Sequence, residues 1–202
     1  MADNSCAGRG AKTRVLFIGN SYTYFNDMPS IFASVCAENG VEAGIEMIAA
    51  GDYTLARFLD PSDELGSKVA EKLANGRWDY VVLQEYSTLP ATDPDVFFAS
   101  AARLCAQIRE NGAEPVFYET WGRGEGSEVL GEIGMTCEEL QSKLTAAYEK
   151  AAKDAGAILV CAGERFYEAY RAGEPVYLED MSHPTELGST LVAKEFFRTL
   201  FE

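Results

Sequence analysis

A serine, an aspartate and one histidine are the residues of this chain best suited to covalent chemistry. The 202 residues contain a single histidine, His183, in the segment DMSHPTE, with Asp180 three positions before it. Near the other end a short apolar run, RVLFIG, leads straight into Asn20 and Ser21. A serine hydroxyl becomes a useful nucleophile when a base takes its proton and a third group orients that base. His183 is the one imidazole that could be the base, and Asp180 is close enough to hold its ring. Pro184 stiffens the turn that carries both. Each residue also has a plainer use. Gly19-Asn20-Ser21 could be a strand-end turn whose serine satisfies loop backbone groups. Asp180 could be a charge at a helix N-terminus.

This chemistry requires a fold that brings both ends of the chain to one place. Short apolar runs at residues 14–18, 41–50, 80–83, 115–118 and 157–160 read as five strands. Between them lie helical patterns. One starts at Asn26-Asp27-Met28-Pro29 and stops at Asn39-Gly40. Others cover 55–74, with an interruption near Pro61, then 97–109 and 137–155. A short helix carries 166–170, and a last one covers 187–200. Residues 121–134, with five glycines and no periodicity, read as a long loop. Strands that are continuous apolar runs and alternate with helices make a parallel sheet covered on both faces. The expected architecture is an α/β protein, a three-layer α/β/α sandwich with a five-stranded parallel sheet of flavodoxin-like type. Sites in such sheets form at the carboxyl ends of strands. Ser21, Gly51, Gln84 and Glu119 each follow a strand and should share one edge. The expected organisation is a flexible tail over residues 1–12 and one domain over 13–202.

Bulk composition excludes several classes. The formal charge is −15, from 17 basic and 32 acidic residues, which argues against nucleic-acid partners and anionic membranes. The five cysteines are dispersed without a CxxC pair, so zinc-ribbon and thioredoxin readings lack support. With one histidine there is no evident metal-ligand cluster and no call for a cofactor. No phosphate-binding glycine loop follows a strand; 122–126 is glycine-rich but lacks the spacing and the lysine. No apolar run approaches the ~18–20 residues that span a bilayer. No signal peptide is visible, so the cytoplasm is the expected compartment, although a removed leader would leave the same sequence. Oligomeric state is not legible.

The blocks taken together resemble the SGNH hydrolases, also called the GDSL esterase/lipase superfamily. The resemblance rests on GNSYT after the first strand, Gly51 after the second, a polar amide after the third and DxxHP before a C-terminal helix. It spans nearly the whole chain, and no block is specific alone. It implies Ser21 as nucleophile, His183 as base and Asp180 as orienting partner. It also implies an oxyanion hole from the backbone N–H of Ser21, the backbone N–H of Gly51 and a side-chain amide of the third block. Two departures stand out. The first block reads GNS where GDS is common. The third reads Leu83-Gln84-Glu85-Tyr86-Ser87, with no GxND in the chain. This phrase is similar to a branch carrying LQExS, so the amide role falls to Gln84, against the plainer reading of a strand-end tie.

Tyr22, Tyr53, Glu85, Glu119 and Trp121 are candidates for binding substrate, with Tyr24 and Tyr86 beside them. Aromatic rings among polar groups suit a sugar or a short acyl ester. The expected function is a serine esterase for a small, short-chain ester, acetyl for instance, on a carbohydrate. Two rivals stay open: an SGNH-like sugar- or peptide-binding module with weak catalysis, and an acyltransferase using the same three residues. A glycosidase pair of Glu85 and Glu119 would leave GNS and DxxHP unexplained.

Overall fold

The computed structural model describes residues 12–202. The tail expected over residues 1–12, Lys12 apart, lies outside the described residues, as does Cys6. Strands β1 (Thr13–Gly19), β2 (Ala43–Ala49), β3 (Tyr80–Leu83), β4 (Glu114–Tyr118) and β5 (Ile158–Val160) form one all-parallel sheet in the order β2-β1-β3-β4-β5. This is the flavodoxin-like order, with its reversal at β1 and β3. The helices are α1 (Ser21–Tyr24), α2 (Met28–Glu38), α3 (Leu55–Phe58), α4 (Glu64–Asn75), α5 (Leu89–Thr92), α6 (Pro94–Glu110), α7 (Glu128–Ile133), α8 (Cys137–Ala155), α9 (Ala162–Arg171) and α10 (Glu186–Phe201). Among the described residues no helix is long and apolar enough to cross a membrane.

Strand pleat divides the core in two. Leu16, Ile18, Val81, Leu83 and Phe117 face α3, α4, α6 and α8. Val15, Phe17, Val82, Val116 and Tyr118 face α2, α9 and α10. Both sets are buried, which is why the strands read as unbroken apolar runs. Phe196 of α10 lies edge-on to Phe17 at 5.2 Å and to Tyr118 at 5.0 Å, fixing the C-terminal helix under β1 and β4.

One expected break and two local differences from the sequence reading have physical causes. The interruption expected near Pro61 separates α3 from α4, each with its own cap. Thr54 accepts from the Arg57 N–H, and Asp63 accepts from the Leu65 N–H. The loop expected over 121–134 ends sooner, because 128–133 wind into α7 before Gly134 closes it in a left-handed conformation. The four-residue helix α1 and the 3₁₀ turn at Phe25–Asp27 are too short to show a period in sequence.

Two carboxylates enter the interior at strand ends. Glu85, after β3, accepts from the Leu55 N–H at 3.1 Å and the Tyr86 N–H at 2.6 Å. Glu119, after β4, accepts from Thr145 Oγ1 at 2.6 Å, Gln141 Nε2 at 3.2 Å and the Glu164 N–H at 3.3 Å. Burial pushes each carboxyl up to about 7, and the hydrogen bonds only partly offset it. A carboxyl whose folded pKa is raised binds its proton more tightly in the native state. Stability therefore falls as pH rises from the ordinary glutamate range to about 7, then levels off. Glu119→Gln carries no such proton. Its melting temperature relative to the wild type should rise between about pH 5 and about pH 8, read by calorimetry. A difference that stays constant with pH would mean that Glu119 does not titrate in this range.

Candidate active site

The turn between β1 and α1 is built around Asn20. Its backbone N–H donates to Gln84 Oε1 at 2.8 Å, and Gln84 Nε2 donates back to Asn20 Oδ1 at 2.9 Å. Thr23 Oγ1 adds a second donor to Gln84 Oε1 at 2.8 Å. Asn20 Nδ2 donates to the carbonyls of Tyr53, at 3.0 Å, and Glu85, at 3.4 Å. The loops after β1, β2 and β3 are thus joined through two amides. Gly19 allows this approach, since a Cβ there would lie 2.3 Å from Thr23 Oγ1 and 2.6 Å from Gln84 Oε1. The arrangement also accounts for asparagine at position 20. A carboxylate would set an acceptor against two carbonyl oxygens.

Ser21 emerges from this clamp as the first residue of α1. Its Oγ lies 3.0 Å from His183 Nε2, and His183 Nδ1 lies 2.6 Å from Asp180 Oδ2. Asp180 Oδ1 accepts the backbone N–H of Ser182, at 3.0 Å, and of His183, at 2.9 Å, so one carboxylate both shapes the loop and meets the ring. Burial raises the Asp180 pKa, but the hydrogen bonds from the His183 ring and these two N–H groups outweigh it and hold the carboxyl below the usual range. Phe25 stacks on the other side of the imidazole at 4.2 Å.

The loop bearing His183 is closed by an antiparallel bridge between Tyr177 and Pro184, with Leu178 N–H donating to His183 O at 2.8 Å. Asn26, in the left-handed region at φ 52°, donates Nδ2 to Pro184 O and to Ser189 Oγ, each at 2.9 Å. Met181 also has a positive φ, 51°, uncommon for such a side chain, and is held by Gly124 N–H donating to its carbonyl at 2.9 Å.

A small polar cleft of about 50 Å³ lies against Ser21 and His183. Asn20, Tyr22, Asp52, Tyr86, Ser87, Arg123 and Ser182 complete its wall. Of the five expected substrate-binding residues, Tyr22 alone lines it. Tyr53 points elsewhere, its hydroxyl on Asp63 at 3.0 Å and its ring under Arg57. Glu85 and Glu119 turn inward to bind loop N–H groups and α8 side chains, as described above. Trp121 is fully buried, stacked between Tyr22 at 4.4 Å and Phe166 at 4.1 Å. Gln84 is placed away from the cleft wall as well. It is fully buried, and its amide N–H groups go to Asn20 Oδ1 and to the Glu85 carbonyl. The Asn20 N–H can only donate, so it fixes which end of the amide is oxygen. Gln84 therefore has the geometry of a tie between loops. Gly51 is exposed at the turn after β2, next to Asp52. The reading from sequence missed Asp52, Ser87, Arg123 and Ser182. Arg123 lay in a glycine-rich stretch that offered no pattern.

Among the described residues one group could present three metal-ligand atoms: Glu119, Cys161 and Glu164, within 4.8 Å of one another. The Glu119 oxygens are already taken up by Thr145, Gln141 and the Glu164 N–H.

No protein-family model and no curated protein matches the chain. Solved structures do. A DUF4886 family protein from Bacteroides uniformis superposes with a TM-score of 0.80 at 19% identity, over 94% of this chain and 83% of that one. The acetyl xylan esterase AlAXEase gives 0.67 at 15%, over 93% and 100%. These two share the fold. A protein of Slackia heliotrinireducens assigned to the SGNH hydrolases gives 0.85 at 34% identity, over 94% of this chain and 99% of that one. At that identity over nearly the full length of both chains, the protein belongs to the SGNH hydrolases, the superfamily of GDSL-type ester hydrolases.

Proposed function

We propose that the protein is a serine esterase for small, short-chain esters, acetyl esters foremost, with Ser21 as nucleophile, His183 as base and Asp180 as the group that orients it. The observation that carries this reading is the continuous hydrogen-bonded line from Ser21 Oγ through the imidazole to Asp180. With Nδ1–H donated to Asp180, the Nε2 lone pair is free to accept the serine proton. Ser21 Oγ then bonds to the ester carbonyl carbon. The carbonyl π pair moves to oxygen, and the serine proton passes to Nε2. Collapse breaks the bond to the alcohol, which leaves with that proton. Water repeats the steps on the acyl-serine and releases the acid.

The backbone N–H of Ser21, which opens α1 and so has no helical acceptor, and the N–H of Gly51 are the proposed oxyanion donors. The confined polar cleft supports short acyl groups over long ones. The fold shared with an acetyl xylan esterase is in keeping with an acetylated carbohydrate as substrate.

Ser21→Ala and His183→Ala should each lower kcat for an acetyl ester by at least ~10³-fold, the double variant being hardly worse, because such groups act as a unit. Wild-type Ser21 should be labelled by a fluorophosphonate. Unlabelled serine, or losses that multiply in the double variant, would count against the reading. Gln84→Ala tests the tie. It leaves buried partners on Asn20 and Thr23 unpaired, at about 1–3 kcal/mol for each such group. The denaturation midpoint should therefore drop together with activity. An unchanged midpoint with kcat reduced ~10²–10³-fold would return the amide to the oxyanion.

A further inference from the structure

Arg123 is the one cation among the described residues that is buried, at 8% exposed. It comes from the loop after β4 and lines the cleft that holds Ser21 and His183. A guanidinium is always charged and offers five N–H donors in a planar fork. Two donations are satisfied by neutral oxygens: Nη1 to Tyr22 Oη at 2.7 Å and Nη2 to Ser87 Oγ at 2.8 Å. Nε has no partner among the described residues. None of the described ion pairs involves Arg123. The Tyr22 ring, 5.7 Å from Cζ, gives partial compensation.

An unpaired buried charge is costly, and surface ion pairs show that carboxylates are plentiful in this chain of net charge −15. Asp52 stands in the same cleft wall but is exposed and makes no ion pair with Arg123 among the described residues, so holding the guanidinium there makes physical sense when its counter-charge arrives with a ligand. The neutral hydroxyls of Tyr22 and Ser87 aim the fork without neutralising it. An overall acidic protein would otherwise repel anions, so a local cation is what admits one.

Resting on the esterase reading of Ser21, we propose that Arg123 is a specificity-determining residue that binds a carboxylate on the substrate, close to the scissile ester. The preferred substrates are then small esters of acids or alcohols that carry a second, free carboxylate. A charge-assisted hydrogen bond favours carboxylate over its neutral amide isostere by roughly one to two orders of magnitude.

The test compares matched esters that differ in that one group. Monomethyl succinate against methyl succinamate places the charge on the acyl side. Acetoxyacetate against acetoxyacetamide places it on the alcohol side. Wild-type kcat/KM should favour the anion by at least ~10-fold in one pair, mostly through KM, which also says which side carries it. Arg123→Gln should bring that ratio to about one, the anionic ester losing far more than the amide, and Arg123→Lys should keep part of it. Independently of turnover, succinate should raise the melting temperature of the wild type and not that of Arg123→Gln. Equal rates within both wild-type pairs would overturn the proposal. So would a preference that survives Arg123→Gln, or equal losses on both members of a pair, which would leave Arg123 as a brace for Tyr22. If the wild type cleaves no ester and resists fluorophosphonate yet keeps the Arg123-dependent succinate shift, the esterase reading fails and the anion site stands. If that shift is missing too, both fail.

Discussion

Two amides facing each other hold this active edge together. Asn20 and Gln84 exchange hydrogen bonds through backbone and side chain, and Asn20 reaches two further carbonyls in the neighbouring loops. Both residues are almost completely buried, where a missing partner is expensive. Position 21 is therefore set by the sheet itself, through β1 and β3, rather than by a mobile loop. Gly19 is the steric condition for this, because any side chain there would occupy the space of Gln84 and Thr23. An amide at position 84 has the geometry to brace the site, since a glutamine, one methylene longer than asparagine, folds back far enough to reach Asn20 and Thr23.

The other half of the site depends on a loop near the end of the chain, and that loop is pinned in a different manner. Asp180 closes a local turn on the N–H groups of residues 182 and 183 with the same carboxylate that meets the imidazole. Asn26 reaches across from the Ser21 side to Pro184 and Ser189. Behind them, α10 is locked to the sheet by Phe196. Left-handed backbone at Asn26, Asp27, Asp52 and Met181 gathers in the loops at this edge. Asparagine and aspartate tolerate that conformation; Met181 is the strained member, kept there by the Gly124 N–H, which donates to its carbonyl.

The strands, the two-faced sheet and its order were legible because burial on both faces writes itself as apolar runs such as Val81-Val82-Leu83. The meeting of Ser21, Asp180 and His183 was legible because few residues offer a hydroxyl, a carboxylate and an imidazole in this pattern and the histidine is single. The cleft wall was not. Whether a residue after a strand faces ligand or core depends on side-chain direction, which has no sequence period in a loop. Glu85, Glu119 and Trp121 stand at suitable positions yet point inward, whereas Arg123, between glycines, points to the cleft. The break between α3 and α4 was legible at Pro61, whereas α1, four residues long, leaves no period to read.

The inward turn of Trp121 has its own consequence. Its ring stacks on Tyr22, the residue after Ser21, and its indole N–H donates to the Ser182 carbonyl at 2.9 Å, the residue before the histidine. Tyr22 Oη in turn meets Ser182 Oγ at 3.1 Å and receives Arg123. The β4 loop therefore touches both halves of the site at once, through rigid rings rather than flexible chains. A displacement of a bound group against Arg123 would be felt at Tyr22 and at Ser182 together. The cleft wall at Arg123 and the spacing between Ser21 and His183 are, on this geometry, parts of one packed unit, and a change in the β4 loop should alter both.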